Sequence, residues 1–557
     1  MSSGPGRPGG QPSLRSDGWL AGDDEVALEH RAALHAAGWA RRRPVIGIAC
    51  TASDLNRCDL GLTVLAAAVR RGVTAAGGLP VVFPAMSLSE DLMKPTAMLY
   101  RNLLAIEVEE TIRSQPLDGV VALGNCDKTV PAYLMALASA DIPALIVTGG
   151  FRPVASLRGE RLGSGTALWR MYDERRAGRV PDADWAGLET CLGAGLGACN
   201  TMGTASTMAI MAEALGLALP GTAVLEAGDP AQEAMAEEAG RRIVALVAAG
   251  TRPSSRLTPA GFERAMTVLA AIGGSTNAII HLCAVAGRRG ITLPLERFGQ
   301  IAARVPVIAD IAPIGTGLMD DLAKAGGVPA VLAALDGGSA EAPRWPLRPV
   351  SGPVTAAPAF MIVRGNLAPD GAVLKAAAAS PGLLRHSGPA VVFHSYAEMR
   401  QRIDDPDLEV TRDSVLVLAG CGPVGAAMPE WGNIPIPARL LREGVTDMLR
   451  ISDARMSGTG YGTVVLHVAP ESAVGGPLSR LRDGDLISLD AFAGELSVEP
   501  GVLAGREPIL PAVPDTRGWP LLHRMHVTQA PQGCDYDFLQ ARTAEQLPFV
   551  EPVIGRS

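Results

Sequence analysis

Residues 44–50 read PVIGIAC, residues 62–78 read LTVLAAAVRRGVTAAGG, and residues 79–85 read LPVVFPA. The first and third segments are short apolar runs, and the second has the length and apolar spacing of a helix. This succession of strand, helix and strand is typical of buried parallel sheets. It continues in DGVVALG at 118–124 and IPALIVTGG at 142–150. The sequence therefore predicts an α/β fold with a parallel sheet.

The remaining segments divide the chain further. Residues 1–22 are rich in Gly, Pro, Ser and Arg and are predicted to form a flexible tail, so the α/β domain would span 23–336, with helices rich in Ala and Leu from about 204 to 335. Pro and Gly interrupt every periodicity in 337–358, which predicts a linker. SVLVLAGCG, TVVLHVAP and DLISLDAFAGELSVEP follow it. These short alternating runs predict a β-rich, barrel-like C-terminal domain over 359–557.

Composition excludes several classes of function. The chain has 557 residues, of which 48% are hydrophobic, and this exceeds what one core usually absorbs. The net charge of -8 is spread along the chain without a long basic run, so nucleic acid is not an expected partner. We find no apolar stretch that could span a membrane and no apolar core for a signal peptide near the start. We therefore expect no membrane partner and a cytoplasmic location.

Eight cysteines are too few for a disulfide scaffold in so long a chain, and a reducing compartment would leave them free for metal. Cys58 and Cys126 follow two predicted strands, and ligands of open α/β sheets lie beyond the carboxyl ends of strands. Cys199 lies where glycines lead into a helix, whose dipole is expected to favour its thiolate. Three thiolates without an obvious fourth would leave one iron of a cluster open as a Lewis acid.

The other cysteines have simpler interpretations. Cys50 and Cys283 are flanked by apolar residues and are expected to be small buried hydrophobes. Spacing alone does not decide the roles of Cys191, Cys421 and Cys534. Because no CxxC pair is present, spacing does not establish a metal site either.

Five motifs in order give the chain a resemblance to a known family. They are GNCDKTVPA, CNTMGTASTM, IGGSTNAIIH, RGNLAPDGA and ISDARMSGTGYGTVVLHVAPE. Together they resemble the dihydroxy-acid dehydratase and phosphogluconate dehydratase family, over nearly the whole chain. Residues 95–121 and 452–462 are most similar to its sugar-acid branch, which includes arabinonate and xylonate dehydratases.

The resemblance implies an iron-sulfur dehydratase with two metal centres. The family's cluster ligands match Cys58, Cys126 and Cys199, and in the sugar-acid branch the cluster is of the 2Fe-2S rather than the 4Fe-4S type. A magnesium ion beside it would be held by the residues that match the family's oxygen ligands, Glu90, Asp127, Glu430 and Lys128, the last after carbamylation. Read without the family, these carboxylates would be solvated loop residues, and Asp127 would cap a turn.

The resemblance also implies the reaction. A small polyhydroxy carboxylate such as L-arabinonate or D-xylonate would lose its C2 proton and its C3 hydroxide, giving a 2-keto-3-deoxy acid. The family's base matches Ser457, acting as an alkoxide, and Thr459 is placed to bind substrate. Read alone, Ser457 would be a turn serine. Since the cysteines and Ser457 lie in different predicted domains, the site is expected at the domain interface. A homodimer or homotetramer is expected by analogy.

Several alternatives remain. Dihydroxy-acid dehydration in valine and isoleucine synthesis uses the same chemistry on an apolar substrate, and residues 59–61, Asp-Leu-Gly, depart from the Asn or His that relatives carry. The segment between Leu335 and Arg364 is also shorter than in relatives. A redox sensor or electron carrier would need a fully ligated cluster and no magnesium. A dehydrogenase would rest on GAGLGA at 193–198, which lacks the acidic partner of a dinucleotide fingerprint. No role is assigned to GGSTNA at 273–278.

Overall fold

A computed structural model describes residues 14–40, 43–337, 343–431, 434–512 and 517–555. The first part of the chain is an α/β domain, and its strands are β1 Val45–Cys50, β2 Leu79–Pro84, β3 Gly119–Leu123, β4 Ala144–Val147, β5 Ala155–Leu157 and β6 Glu160–Leu162. Its helices are α1 Asp17–Leu20, α2 Glu25–His35, α3 Leu62–Ala75, α4 Met98–Ser114, α5 Thr129–Ala140, α6 Thr166–Arg176, α7 Asp182–Gly193, α8 Thr204–Ala214, α9 Pro230–Ala248, α10 Pro259–Ala271, α11 Asn277–Gly287, α12 Leu295–Ala302, α13 Met319–Lys324 and α14 Gly327–Leu335.

The sheet of this domain is parallel and has the order β2-β1-β3-β4. Successive residues of β1 face opposite sides: Val45 and Ala49 pack in one hydrophobic cluster, and Ile46 and Ile48 pack in another with α3 and α9. β1, β3 and β4 are buried on both faces and are continuous apolar runs, as predicted, whereas the edge strand β2 is partly exposed. The chain leaves β1 toward β2 on one side and enters β3 on the other. The order of strands therefore reverses between β1 and β3, where α/β sheets open a crevice.

The later part of the chain contains the strands β7 Met361–Gly365, β8 Ala368–Leu374, β9 Arg385–Phe393, β10 Val415–Leu418, β11 Glu430–Trp431, β12 Arg450–Ser452, β13 Arg455–Met456, β14 Val464–Ala469, β15 Leu486–Asp490 and β16 Glu495–Val498. Its helices are α15 Tyr396–Arg402, α16 Pro423–Ala426, α17 Ala438–Arg442 and α18 Gly518–His526. Eight of the strands close into a barrel in the order β10-β12-β14-β8-β7-β16-β15-β9, which confirms the barrel-like second region.

The barrel is packed on both sides of its wall. In β10, Val415 and Val417 belong to the cluster inside the barrel, while Leu416 and Leu418 pack outside with Met399 of α15 and neighbouring residues. The run VLVL is therefore buried throughout instead of alternating with polar residues. Outside the barrel, β11 and β13 form a separate parallel pair that matters for the site described below.

Short 3-10 helices complete the described structure, at Thr222–Val224, Pro253–Ser255, Ala376–Ala378, Pro381–Leu383, Ser472–Val474, Pro477–Arg480, Ala530–Gln532 and Ala544–Gln546. Most of the predicted tail and part of the predicted linker lie outside the described residues. The described part of that tail contains a helix where a flexible segment was predicted: α1 buries Trp19 and Leu20 in the main core. No helix in the described part of the chain is long and apolar enough to cross a membrane.

Candidate active site at the domain interface

Two cysteines meet at the point where the strand order reverses. Cys58 lies in the loop after β1 and Cys126 in the loop after β3, and both side chains are buried. Their thiols are within hydrogen-bonding reach of each other, and this contact, followed by burial, raises the pKa of Cys126 well above its usual value. The sequence argument from strand ends thus brings these two residues to one place, as expected for a shared ligand.

Asp59 connects the loops that carry the two cysteines. Its fully buried carboxylate accepts hydrogen bonds from Thr51 Oγ1 at 2.8 Å, Asn56 Nδ2 at 3.0 Å, Ser87 Oγ at 3.1 Å and the backbone N–H of Asn125 at 3.1 Å. Burial raises the pKa of Asp59 to about 7, although the hydrogen bonds oppose that rise. Asp59, where the chain departs from the family pattern, therefore links the loops after β1 and β3 through hydrogen bonds.

Cys199 approaches from the loop before α8 and is partly buried. Burial raises its pKa to about 12, and the nearby Arg152 guanidinium only partly opposes this. The sequence predicted that the dipole of the following helix would favour the Cys199 thiolate. Burial outweighs this effect, since α8 begins only at Thr204, five residues after Cys199. Among the described residues, the only group of His, Cys, Asp or Glu ligand atoms found within 4.8 Å of one another is Glu90, Asp127 and Glu430. The three sulfurs are therefore not all within that distance of one another.

The three carboxylates surround one lysine. Lys128 is fully buried, and its Nζ lies 3.0 Å from Glu430 Oε2, 3.4 Å from Glu90 Oε2 and 3.8 Å from Asp127 Oδ2. Glu90 Oε2 is buried and accepts no hydrogen bond in the described structure. Three carboxylates at this spacing, one with an oxygen that lacks a hydrogen bond, form a cage that could hold a metal ion.

Burial and the charges of neighbouring residues have opposing effects on the pKa values of the cage residues. Burial, together with repulsion from Glu430, raises the pKa of Asp127 to about 8. Burial also acts to raise the pKa of Glu430, but Lys128 and Arg455 outweigh it, so this pKa lies below its usual value. The pKa of Lys128 lies above its usual value because the carboxylates outweigh burial. The cage thus favours a cation at its centre.

Glu430 is held by residues from both domains. It forms β11 with Trp431, and β11 pairs with β13 so that Glu430 lies opposite Arg455. The fully buried Arg455 donates from Nη1 to Glu430 Oε2 at 2.5 Å and from Nε to Met428 O at 2.8 Å. Asn277, at the start of α11, donates from Nδ2 to the same Glu430 oxygen at 3.0 Å. One carboxylate oxygen therefore receives hydrogen bonds from the barrel region and from the α/β domain.

Ser457 and Thr459 lie in the loop that follows β13. The Ser457 N–H donates to Trp431 O at 2.7 Å, and the Ser457 and Thr459 hydroxyls are hydrogen-bonded to each other at 2.8 Å. Trp169 of α6 donates from Nε1 to Thr459 Oγ1 at 3.0 Å. Gly458 packs so closely that an added Cβ would lie 2.7 Å from Ser275 and 2.9 Å from the backbone nitrogen of Thr204. The loop therefore rests directly on the start of α8.

All nine residues singled out from the sequence lie at this interface in three connected groups. The groups are the Cys58, Cys126 and Cys199 thiols, the Glu90, Asp127, Lys128 and Glu430 cage, and the Ser457 and Thr459 hydroxyls. Sequence reasoning missed Arg455 and Asn277, and it noted Asp59 only as a departure from the family pattern. Arg455 and Asn277 lie inside the quoted motifs SDARMSG and GGSTNA, and their occurrence there is the only signal that could have indicated them.

Both halves of the chain match models of the same protein family. Residues 43–341 match the model for the dihydroxy-acid/6-phosphogluconate dehydratase N-terminal domain, and residues 346–534 match the C-terminal domain of the same family. The chain belongs to this dehydratase family. The enzyme is therefore a dehydratase, and the cleft between the two matched regions is its candidate active site.

The dehydratase has relatives of known name over almost its full length. It is 46% identical to the 6-deoxy-6-sulfo-D-gluconate dehydratase of Pseudomonas putida, covering 96% of this chain and 98% of that protein. It is 44% identical to the L-arabonate dehydratase of Azospirillum brasilense, covering 97% and 99%. It is 35% identical to the dihydroxy-acid dehydratase of Synechococcus sp. (strain RCC307), covering 83% and 88%. The similarity to these two sugar-acid dehydratases is greater, and extends further, than the similarity to the dihydroxy-acid dehydratase.

Proposed function

We propose that this dehydratase removes water from an aldonic acid, such as L-arabinonate or D-xylonate, to give the 2-keto-3-deoxy acid. The proposal depends on one observation: a buried thiol pair, a three-carboxylate cage and a serine loop meet at one interface. Thiols suit iron, carboxylates suit a hard divalent cation, and a hydroxyl can move a proton. These three kinds of chemistry together suit the loss of a C2 proton and a C3 hydroxide.

The thiols fit an iron-sulfur cluster. Cys58, Cys126 and Cys199 would hold it, and the cluster of described buried residues around Cys58 and Cys126 contains no cysteine besides those two. The contact between Cys58 and Cys126 supports the 2Fe-2S type, because two thiolates on one iron lie close together, whereas a 4Fe-4S cluster takes one thiolate per iron. Cys199, whose pKa is also affected by the Cys58 thiol, would supply the third ligand.

The carboxylate cage fits magnesium. Glu90, Asp127 and Glu430 would hold the ion, and the oxygen of Glu90 that lacks a hydrogen bond supports a ligand role. A bare Lys128 ammonium would compete with the ion for the same carboxylates. Carbamylation of Lys128 would convert that competitor into an anionic oxygen ligand. When bound, the cluster and magnesium supply Lewis acidity toward the leaving hydroxide and the substrate carboxylate.

The remaining steps belong to residues of the chain. Ser457 would take the C2 proton, and its hydrogen bond to Thr459 aligns its hydroxyl. Trp169 fixes Thr459 from the α/β side, so Thr459 can orient a substrate hydroxyl. Asn277 and Arg455 would hold Glu430 in place throughout. The close packing of Gly458 on α8 keeps the serine loop beside the Cys199 loop.

The comparisons support the proposed substrate class. Three relatives with sugar-acid substrates in their names share 44% to 46% identity with this chain, whereas the dihydroxy-acid dehydratases share 33% to 35%. The D-xylonate dehydratase of Caulobacter vibrioides shares 34%, no more than the dihydroxy-acid dehydratases. An aldonate therefore takes precedence over dihydroxyisovalerate, the substrate of the branched-chain amino-acid pathway.

The test is anaerobic purification with iron and sulfide analysis, followed by a keto-acid assay. The substrate panel is L-arabinonate, D-xylonate, D-gluconate, 6-deoxy-6-sulfo-D-gluconate and 2,3-dihydroxyisovalerate. We expect a brown protein that acts on an aldonate. Turnover of dihydroxyisovalerate alone would overturn the substrate class. Ser457→Ala should abolish turnover, with Ser387→Ala, an exposed barrel serine, as the matched control. Full activity of Ser457→Ala would remove it as the base.

A further inference from the structure

Lys375 is a buried lysine that has no carboxylate partner among the described residues. It follows β8 directly, and its side chain is buried. Within the described ranges it forms no ion pair, and its Nζ donates to Gly458 O at 3.4 Å. An ammonium group has three donors and is costly to bury without compensation. Such a residue is retained at a stability cost, which suggests a function beyond packing.

Lys375 shares a small enclosed cavity with Ser457. The wall also includes Thr276, Met456 and Gly458, and the space is about the size of one water molecule. Gly458 lies between Ser457 and Thr459, so the single acceptor of Lys375 belongs to the serine loop itself. The cavity therefore connects the amine to the residue proposed as the base.

The surroundings of Lys375 favour an uncharged amine. All other residues that line the cavity are uncharged. Beyond its wall at Gly462 lie Asp447 and Arg450, which form an ion pair with each other at 2.9 Å. Burial alone lowers the pKa of Lys375 to about 7. At neutral pH, a substantial fraction of the amine is therefore free to accept a proton.

We propose that Lys375 is a positioning residue for Ser457, holding the Gly458 carbonyl and accepting the Ser457 proton through the cavity they share. This inference rests on the proposed role of Ser457. The Ser457 Oγ–H bond breaks, an N–H bond forms on Lys375 Nζ, and the electron pair stays on Oγ. Ser457 then takes the C2 proton of the substrate. The proton on Lys375 leaves with the released hydroxide as water, which restores both residues.

A proton acceptor beside Ser457 would overcome the low acidity of its hydroxyl group. A serine hydroxyl gives up its proton too reluctantly to act alone near neutral pH, and an adjacent amine with a lowered pKa is a known type of activator. Proton acceptors work best when their pKa lies near the operating pH. Lys375 meets both conditions through its position at the end of a barrel strand.

The test compares Lys375→Met, Lys375→Arg and Lys324→Met in the cluster-loaded enzyme. Lys324 is an exposed lysine of α13 and serves as the control. The probe is L-arabinonate, or the panel member with the highest turnover. We expect Lys375→Met to lower kcat by about 100-fold or more, the usual size of a general acid-base contribution. Lys375→Arg should lose as much, because a guanidinium keeps its proton.

The pH profile separates this role from a structural one. In the wild type, kcat should rise with pH up to about 7, the pKa of Lys375, and that limb should vanish in Lys375→Met while iron content and KM stay unchanged. Wild-type kcat and pH profile in Lys375→Met or Lys375→Arg would overturn the inference. If Ser457→Ala is inactive and Lys375→Met behaves as the wild type, only this inference fails. If Ser457→Ala is fully active, the proposed base fails.

Discussion

Asn277 Nδ2 donates to Glu430 Oε2 at 3.0 Å, so the first residue of a helix in the α/β domain holds a carboxylate carried by a strand of the barrel region. The same amide nitrogen also donates to Thr204 Oγ1 at 2.9 Å. A side chain that orients a metal ligand is often as important to affinity as the ligand itself. This single amide connects the start of α8, the start of α11 and the carboxylate cage.

Asn277→Ala should weaken magnesium binding by about 10 to 100-fold, the usual cost of removing a residue that orients a ligand. Glu430 would lose one of its three hydrogen-bond donors and could turn within the cage. The measurement is a magnesium titration of activity. Asn366→Ala, which loses hydrogen bonds to Val498 far from the cage, is the control. Unchanged magnesium dependence in Asn277→Ala would contradict this role.

Arg455→Met should destabilise the protein by about 3 to 5 kcal/mol, because it leaves the buried Glu430 carboxylate with one fewer cation. The measurement is chemical denaturation of the metal-free protein. Arg364→Met is the control, since Arg364 pairs with Glu296 at the surface and such pairs contribute about 0 to 1 kcal/mol. Equal losses in the two variants would show that Arg455 does no more than a surface arginine.

Lys375→Met should stabilise the protein, since burying a charge costs free energy that methionine avoids. The pKa of Lys375 falls from 10.5 when unfolded to about 7 when folded, so wild-type stability rises as pH increases between these values. At pH 6 the buried lysine costs the wild type about 5 kcal/mol relative to pH values above 10.5, at about 1.36 kcal/mol per pKa unit. Urea denaturation at pH 6, 8 and 10 should show the advantage of Lys375→Met shrinking toward pH 10. An advantage independent of pH would contradict the buried-charge explanation.

Serine replacements of Cys58, Cys126 and Cys199 should each lower the bound iron and bleach the visible spectrum, because a hydroxyl is a poor cluster ligand. Cys191→Ser is the matched control: its partly exposed thiol donates to Ser156 O and takes no part in the thiol group. The measurement is iron and acid-labile sulfide per chain after anaerobic purification. Full iron content in any of the three replacements would remove that cysteine from the ligand set.

Asp59→Asn should also reduce cluster retention, although Asp59 is not a ligand. Its two carboxylate oxygens accept from donors in both cysteine loops, and an asparagine offers only one oxygen while its NH2 group would face those donors. Iron content and the rate of bleaching in air should report the loss. Ser53→Ala, which removes a hydrogen bond to Leu55 in an exposed part of the same loop, is the control.

The α/β sheet was predictable from sequence because its strands are continuous apolar runs, and β1, β3 and β4 are buried on both faces. The barrel was predictable only in outline. β7 and β9 contain Gly or Pro, and they pair with the distant strands β16 and β15, respectively. Closure of a barrel is a non-local event, so local periodicity indicates its strands incompletely.

The candidate site was predictable to a similar degree. Cys58 and Cys126 meet because the carboxyl ends of neighbouring parallel strands meet, and this follows from strand order. The roles of Arg455 and Asn277 could not be inferred, because each depends on a partner from another part of the chain. The burial of Lys375 could not be inferred either, since nothing in GAVLK distinguishes a buried lysine from an exposed one.

The division of the site between two regions has a consequence for biosynthesis. Because they lie in the first half of the chain, Cys58, Cys126 and Cys199 emerge from the ribosome long before Glu430 and Ser457 are synthesised. During that interval the thiols are open to iron delivery, and also to oxidants, without the barrel to cover them. The cofactor can thus be inserted before the second half of the chain packs against the first. Expression conditions that shorten this interval should yield colourless enzyme.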